Sequence, residues 1–149
     1  MQGFKTILVP IDFSGLSVPT LETATRLLAD GGVAVLLHVV EWLPAVAGGT
    51  FGVYPHRKEI EHLKALSKEK LDAYAAERPE ISFETRVAEG KAAAVILETA
   101  AEVDPGLIVI GSHGRSGLDH FILGSVTERV LRKSQTAVLV VRAPGHQAE

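Results

Sequence analysis

The 149-residue sequence contains no cysteine. That absence removes disulfide scaffolds, cysteine nucleophiles, thiolate zinc sites and cysteine-ligated clusters together. Aromatic residues are scarce, at 5%, and the apolar stretches are short: that at residues 33–37, for example, stops at His38. They fall far short of the roughly 20 residues that cross a bilayer, so no membrane span is expected. There is no dense basic block, and 15 Lys and Arg against 18 Asp and Glu give a formal charge of −3. A nucleic-acid partner is therefore not expected. Residues 1–4 lead straight into an apolar segment without the h-region or cleavage site of a signal peptide, and a cytoplasmic location is the expectation. What remains, 46% apolar and 22% charged, has the balance of an ordinary globular protein. One domain over 1–149 accounts for the length, and a chain of this size buries a full core without staples.

Short runs rich in Val, Ile and Leu recur at 6–11, 33–40, 81–87, 107–110 and 137–141. Most are apolar at nearly every position, as in strands covered on both faces. Between them lie helical segments. Ser17 can cap the first, in which Leu21, Ala24 and Leu28 share a face, Pro19 sits in the first turn and Gly31-Gly32 end the pattern. The second covers about 57–77, with Ile60, Leu63, Ser67, Leu71 and Tyr74 in one stripe. The third covers about 91–103, with Ala93, Ile96 and Ala100, and stops before Pro105; the fourth covers 126–133. Strict alternation of five strands and four helices implies an α/β fold: a single open parallel sheet, helices on both faces, right-handed crossovers and strand order 3-2-1-4-5. The connection 41–56 is the longest, and reads equally as a surface excursion or a lid over a site.

In an open parallel sheet, ligands lie outside the carboxyl ends of the strands where the order reverses, here between the first and fourth strands. The residues leaving those strands are Pro10-Ile11-Asp12-Phe13-Ser14 and Gly111-Ser112-His113-Gly114. Five of the fourteen glycines, Gly106, Gly111, Gly114, Gly117 and Gly124, lie around the second of these turns. Such a cluster suggests backbone that a ligand approaches closely, with amides turned toward an anion. Gly124 directly precedes a helix, so the amides of Ser125, Val126 and Thr127 can meet a phosphate at its positive end, with the Ser125 and Thr127 hydroxyls adding hydrogen bonds. Ser125 and Glu128 equally spell an S-x-x-E capping box, which satisfies such amides internally. Neither a P-loop nor G-x-G-x-x-G is present.

The spacing Gly111, Gly114, Gly124, Ser125 follows G-x2-G-x9-G-[ST], and here the sequence resembles the universal stress proteins, specifically their nucleotide-binding branch. The likeness extends to ILVPIDFS at 7–14, LHV at 37–39, LIVIGSHG at 107–114 and the block 124–141, and so covers essentially the whole chain. It implies a Rossmann-like sheet of the adenine nucleotide alpha hydrolase type. It also implies a site for ATP, AMP or ADP. Pro10 and Asp12 would lie near adenine and ribose, and the Val39 backbone would meet the adenine. Ile110 and Gly111 would sit beside ribose and phosphates, with Gly114, Gly124, Ser125, Val126 and Thr127 as the phosphate cradle and His113 at its edge. A divalent ion, Mg²⁺ or Mn²⁺, held mainly through the phosphates, is implied with it. So is a homodimer through residues 136–142, whose apolar run at the sheet edge carries no lysine or proline to discourage pairing.

Other residues have simpler readings beside the functional one. Asp12 is also a natural Asx-turn residue, and His113 and Arg115 natural solvated loop side chains. Trp42 and Phe51 shield a base or pack under their own loop. The remaining histidines lack the spacing of a helical metal pair. No G-x-S-x-G is present, and neither Ser112 nor Ser116 has a readable triad, so a chemical step is unsupported. The leading expectation is a nucleotide-binding regulatory protein of the stress response, at most a slow ATPase. The alternatives are an ATP-hydrolysing or nucleotidyl-transfer enzyme of the same superfamily, whose HxGH and Ser-Gly-Gly-x-Asp-Ser motifs are missing at 12–17, and a dimeric module without ligand.

Overall fold

A computed structural model describes residues 2–41, 57–113 and 122–143. The chain runs β1 (Phe4–Pro10), α1 (Ser17–Leu27), β2 (Leu28–Val40), α2 (Arg57–Ala76), β3 (Ser82–Glu89), α3 (Ala92–Val103), β4 (Leu107–Gly111), α4 (Ser125–Lys133) and β5 (Val138–Val141). All neighbouring strands pair in parallel, in the order β3-β2-β1-β4-β5. The expected α/β architecture and strand order are those observed.

The apolar runs follow from this order. Successive residues of a strand face opposite sides, and β1 at the sheet centre has a layer on each. Ile7 and Val9 pack with Leu21 and Ala24 of α1 and Leu71 of α2. Leu8, between them, packs with Ile96 and Ala100 of α3 and Val130 of α4. Helix α2 is further tied to β3: the Lys68 ammonium and the Thr85 hydroxyl both donate to Asp72, and these bonds hold its carboxyl below the usual range. Arg57, at the start of α2, pairs with Glu89 at 2.7 Å.

The largest departure from expectation is at the end of α1, which stops at Leu27 rather than at the glycine pair. Leu28 takes extended backbone (φ −68°, ψ 139°) and pairs with Phe4 as the first residue of β2. Gly31 and Gly32 instead serve an irregularity early in β2, where the partner of Phe4 is Leu28 and that of Thr6 is Val33. Gly31 has φ +71°, and a Cβ at Gly32 would lie 2.9 Å from the Phe4 carbonyl. Ser17 is not the cap of α1 either. Leu16 holds that position, and no side chain caps the helix.

The site is positioned by what leaves β1 and β4. These adjacent strands are in register at Ile7↔Leu107 and Leu8↔Ile108. The first continues to α1, packed on one face of the sheet, and the other to α4 on the opposite face. Their departing turns separate and open a crevice at the carboxyl end. Among the described residues, no helix is long and apolar enough to cross a membrane.

Candidate functional site

The crevice is a cleft of about 660 Å³. The β1 turn, the end of β2, the inner face of α2, the start of α3, the end of β4 and the amino end of α4 all line it. Pro10, Asp12, Val39, Ile110, Gly111, His113, Gly124, Ser125, Val126 and Thr127, chosen from sequence, all border this one cavity. Gly114, Arg115, Trp42 and Phe51 lie outside the described residues.

The β1 turn is fixed by several local contacts. Asp12 Oδ1 accepts from the Ser14 amide at 2.9 Å, the Asx turn, and from the Ser17 hydroxyl at 3.3 Å. Phe13 then enters the left-handed region at φ +61°, a conformation that costs a bulky residue about 1–2 kcal/mol. Ring contacts offset that cost. Phe13 lies 4.5 Å from the His38 ring and 6.2 Å from the Tyr74 ring, with the Lys70 ammonium 5.0 Å above it. His38 Nδ1 lies 2.7 Å from the Ile11 carbonyl, which only accepts, so this nitrogen carries the proton.

At the other end of the cleft, Gly124 occupies the N-cap of α4 and makes no side-chain cap. Ser125 is one residue too far into the helix for the capping box, and Glu128 pairs instead with Arg132. The internal satisfaction that S-x-x-E spelled is therefore not made. The amides of Ser125, Val126 and Thr127 are the first-turn amides of α4, without intrahelical partners and at the positive end of the helix dipole.

One expectation needs correction. The Thr127 hydroxyl is not available to a ligand phosphate as a donor, because it donates to the Gly111 carbonyl at 2.6 Å and ties α4 to β4. Gly111, which lines the cleft, also fits closely against the start of α1: a Cβ there would lie 3.3 Å from Leu16 Cβ and 3.5 Å from Thr20 Oγ1.

Several lining residues carry no signal of that role in the sequence. Leu63, placed in the buried stripe of α2, is 47% exposed and lines the cleft with Leu66, 41% exposed, and Lys70. Lys70 is the one Lys or Arg among the described lining residues. Thr20 is 1% exposed, and its hydroxyl has no hydrogen-bond partner among the described residues. A helical pattern reports which residues share a face; it does not say whether that face meets core or cavity. Among the described residues, no three His, Asp or Glu side chains are grouped to hold a metal.

The site therefore combines an apolar lining (Val39, Leu63, Ile96, Ile110), a carboxylate turn and, from α4, first-turn amides that no side chain among the described residues caps. The sequence model of the universal stress protein family matches residues 3–142. The chain belongs to this family. Universal stress protein MJ0531 of Methanocaldococcus jannaschii is 32% identical over 145 residues, 95% of this chain and 84% of that protein. Among solved universal stress protein folds and their neighbours, the hypothetical protein PH0823 superposes with a TM-score of 0.74 at 30% identity, over 96% of this chain and 99% of its own. A universal stress protein solved in complex with cAMP superposes at 0.68 with 21% identity, over 96% of this chain and the whole of its own. The last of these shows a shared fold.

The unpartnered Thr20 hydroxyl yields a stability prediction. Thr20→Val keeps the shape and removes a buried polar atom, so it is expected to stabilise the ligand-free protein by about 1 kcal/mol in urea unfolding. Destabilisation of that size would mean that the hydroxyl is hydrogen-bonded in solution.

Proposed function

We propose that the cleft binds an adenine nucleotide, and that its occupancy regulates shape or partner affinity in a cytoplasmic stress-response protein with little or no turnover. The observation that carries this reading is the amino end of α4, which no side chain among the described residues caps and which lines the same cleft as the Asp12 turn and Val39. In this arrangement Val39 and the apolar walls take the adenine, and Asp12 with Pro10 takes the ribose side. Ile110 and Gly111 lie alongside. The Ser125, Val126 and Thr127 amides receive phosphate oxygens, with the Ser125 hydroxyl and His113 at the rim. A cleft of about 660 Å³ is within the usual size of a small-molecule site. The family neighbour solved with cAMP, itself an adenine nucleotide, agrees in ligand class, while the reading rests on this chain's own cleft.

A divalent cation fits this site only as a passenger on the phosphates. Asp12 and Glu41 are the carboxylates among the described lining residues. Asp12 Oδ1 accepts from Ser14 and Ser17, and Glu41 Oε1 accepts from the Ala92 amide at 2.7 Å. Phosphate and water oxygens satisfy Mg²⁺ or Mn²⁺ without a protein cage.

Backbone chemistry offers a direct test. Gly124 has φ −61° and ψ 152°, the backbone that precedes proline readily, and proline is favoured at the first helical position. Ser125→Pro therefore keeps α4 and deletes one phosphate-facing amide. Titration calorimetry is expected to show ATP bound at least tenfold more weakly, about 1.4 kcal/mol. Unchanged affinity would remove α4 from the site.

Phosphoryl transfer needs an oriented nucleophile and concentrated positive charge, and the described cleft offers neither. Lys70 stands over Phe13, toward the β1 turn. Purified protein is expected to hydrolyse ATP more slowly than about 1 per second, below the usual enzyme range. A faster rate would favour the enzymatic alternative.

Dimerisation through β5 belongs to the same proposal. The other edge, β3, carries Glu84, Arg86 and Glu89, charges that discourage pairing. β5 reads Val-Leu-Val-Val, with Leu139 37% exposed. The carbonyls of Ala137 and Val141 accept from Ile108 and Ser112 at 2.9 and 2.7 Å, so by strand alternation the amides of Val138 and Val140 face outward. Val140→Pro removes an outward donor and leaves the bonds to β4 intact. Sedimentation is expected to show a wild-type dimer and a monomeric variant; an unaffected dimer would exclude this edge.

A further inference from the structure

The end of β4 is held by three bonds of one residue. The Ser112 amide donates to the Val141 carbonyl at 2.7 Å, and its carbonyl accepts from the Gly124 amide, also at 2.7 Å. Its hydroxyl oxygen lies 3.0 Å from Nδ1 of His113. The first two bonds join β5, β4 and the start of α4 at one point. The third is a side-chain contact that the fold does not require.

That contact has two possible polarities. A protonated Nδ1 would donate to Oγ, and the hydroxyl hydrogen of Ser112, a residue only 6% exposed, would then need another acceptor. Among the described residues it has none. If the hydroxyl donates to Nδ1 instead, both groups are satisfied and the proton of the neutral ring sits on Nε2. With Nδ1 turned back onto Ser112, Nε2 is the nitrogen left for the cleft that His113 lines.

We infer that Ser112 is a positioning residue whose hydroxyl fixes His113 as the Nε2–H tautomer, presenting a directional N–H donor to an oxyanion in the cleft. The Gly124 amide is engaged by Ser112, so this donor supplements the amides of Ser125, Val126 and Thr127. The identity of that oxyanion as a nucleotide phosphate rests on the function proposed above; the tautomer does not.

The experiment uses the full chain with ¹⁵N-labelled histidine at about pH 8, above the ordinary histidine range, together with ATP titrations. Wild type is expected to show His113 as Nε2–H, Ser112→Ala a mixture of tautomers, and Ser112→Thr the wild-type pattern. Both backbone ties survive in these variants, and thermal melts check folding. Ser112→Ala and His113→Ala are each expected to weaken ATP binding by about tenfold or more, the loss of one hydrogen bond to a charged group. The double variant should be no weaker than His113→Ala alone. The inference is overturned by an Nδ1–H ring in wild type, or by a Ser112→Ala loss that persists in the His113→Ala background. Wild type that binds no adenine nucleotide would end the nucleotide reading and the assigned oxyanion, while the spectra still decide the tautomer.

Discussion

The pairing of β1 with β4 is the contact on which the site depends. It is central in the sheet, with Ile7, Leu8 and Ile108 fully buried. The chain leaving β1 goes to a helix on one face and the chain leaving β4 to a helix on the other. No single element could form the resulting cleft, because its two walls are held apart by the sheet itself. Packing of the helices against opposite faces thus fixes the distance between the Asp12 turn and the amino end of α4.

Each wall is made rigid by interactions that leave selected groups unpaired. On the β1 side, a left-handed Phe13 is held by an Asx turn and by aromatic neighbours. On the β4 side, Ser112 and the Thr127 hydroxyl anchor the start of α4 to the strand. Such anchoring consumes the groups one might first assign to a ligand. It leaves the first-turn amides of α4, which no side chain among the described residues caps. Among the described residues, the buried hydroxyl at Thr20, which lines the cleft, has no hydrogen-bond partner.

Family membership and this geometry bear on different levels of description. The family match extends over residues 3–142 and accounts for the fold. It does not say which atoms act. That Gly111 accommodates α1, that Thr127 ties two elements together and that His113 leans on Ser112 are properties of this packing.

The sequence by itself determined the alternation of elements, the parallel sheet and its reversal point, because burial on both faces writes itself as continuous apolar runs. It also marked ten described residues that line the cleft, since strand ends and glycine spacing are local features. Tertiary structure alone decided the rest. The end of α1 was hidden because extended backbone at Leu28 gains a partner in Phe4, distant in sequence. The capping box at Ser125 was misleading because spacing does not reveal which residue sits at the N-cap. Leu63, Leu66 and Lys70 were invisible as wall residues because a helix face looks the same in sequence whether it meets core or cavity; only the position of the facing strands distinguishes the two.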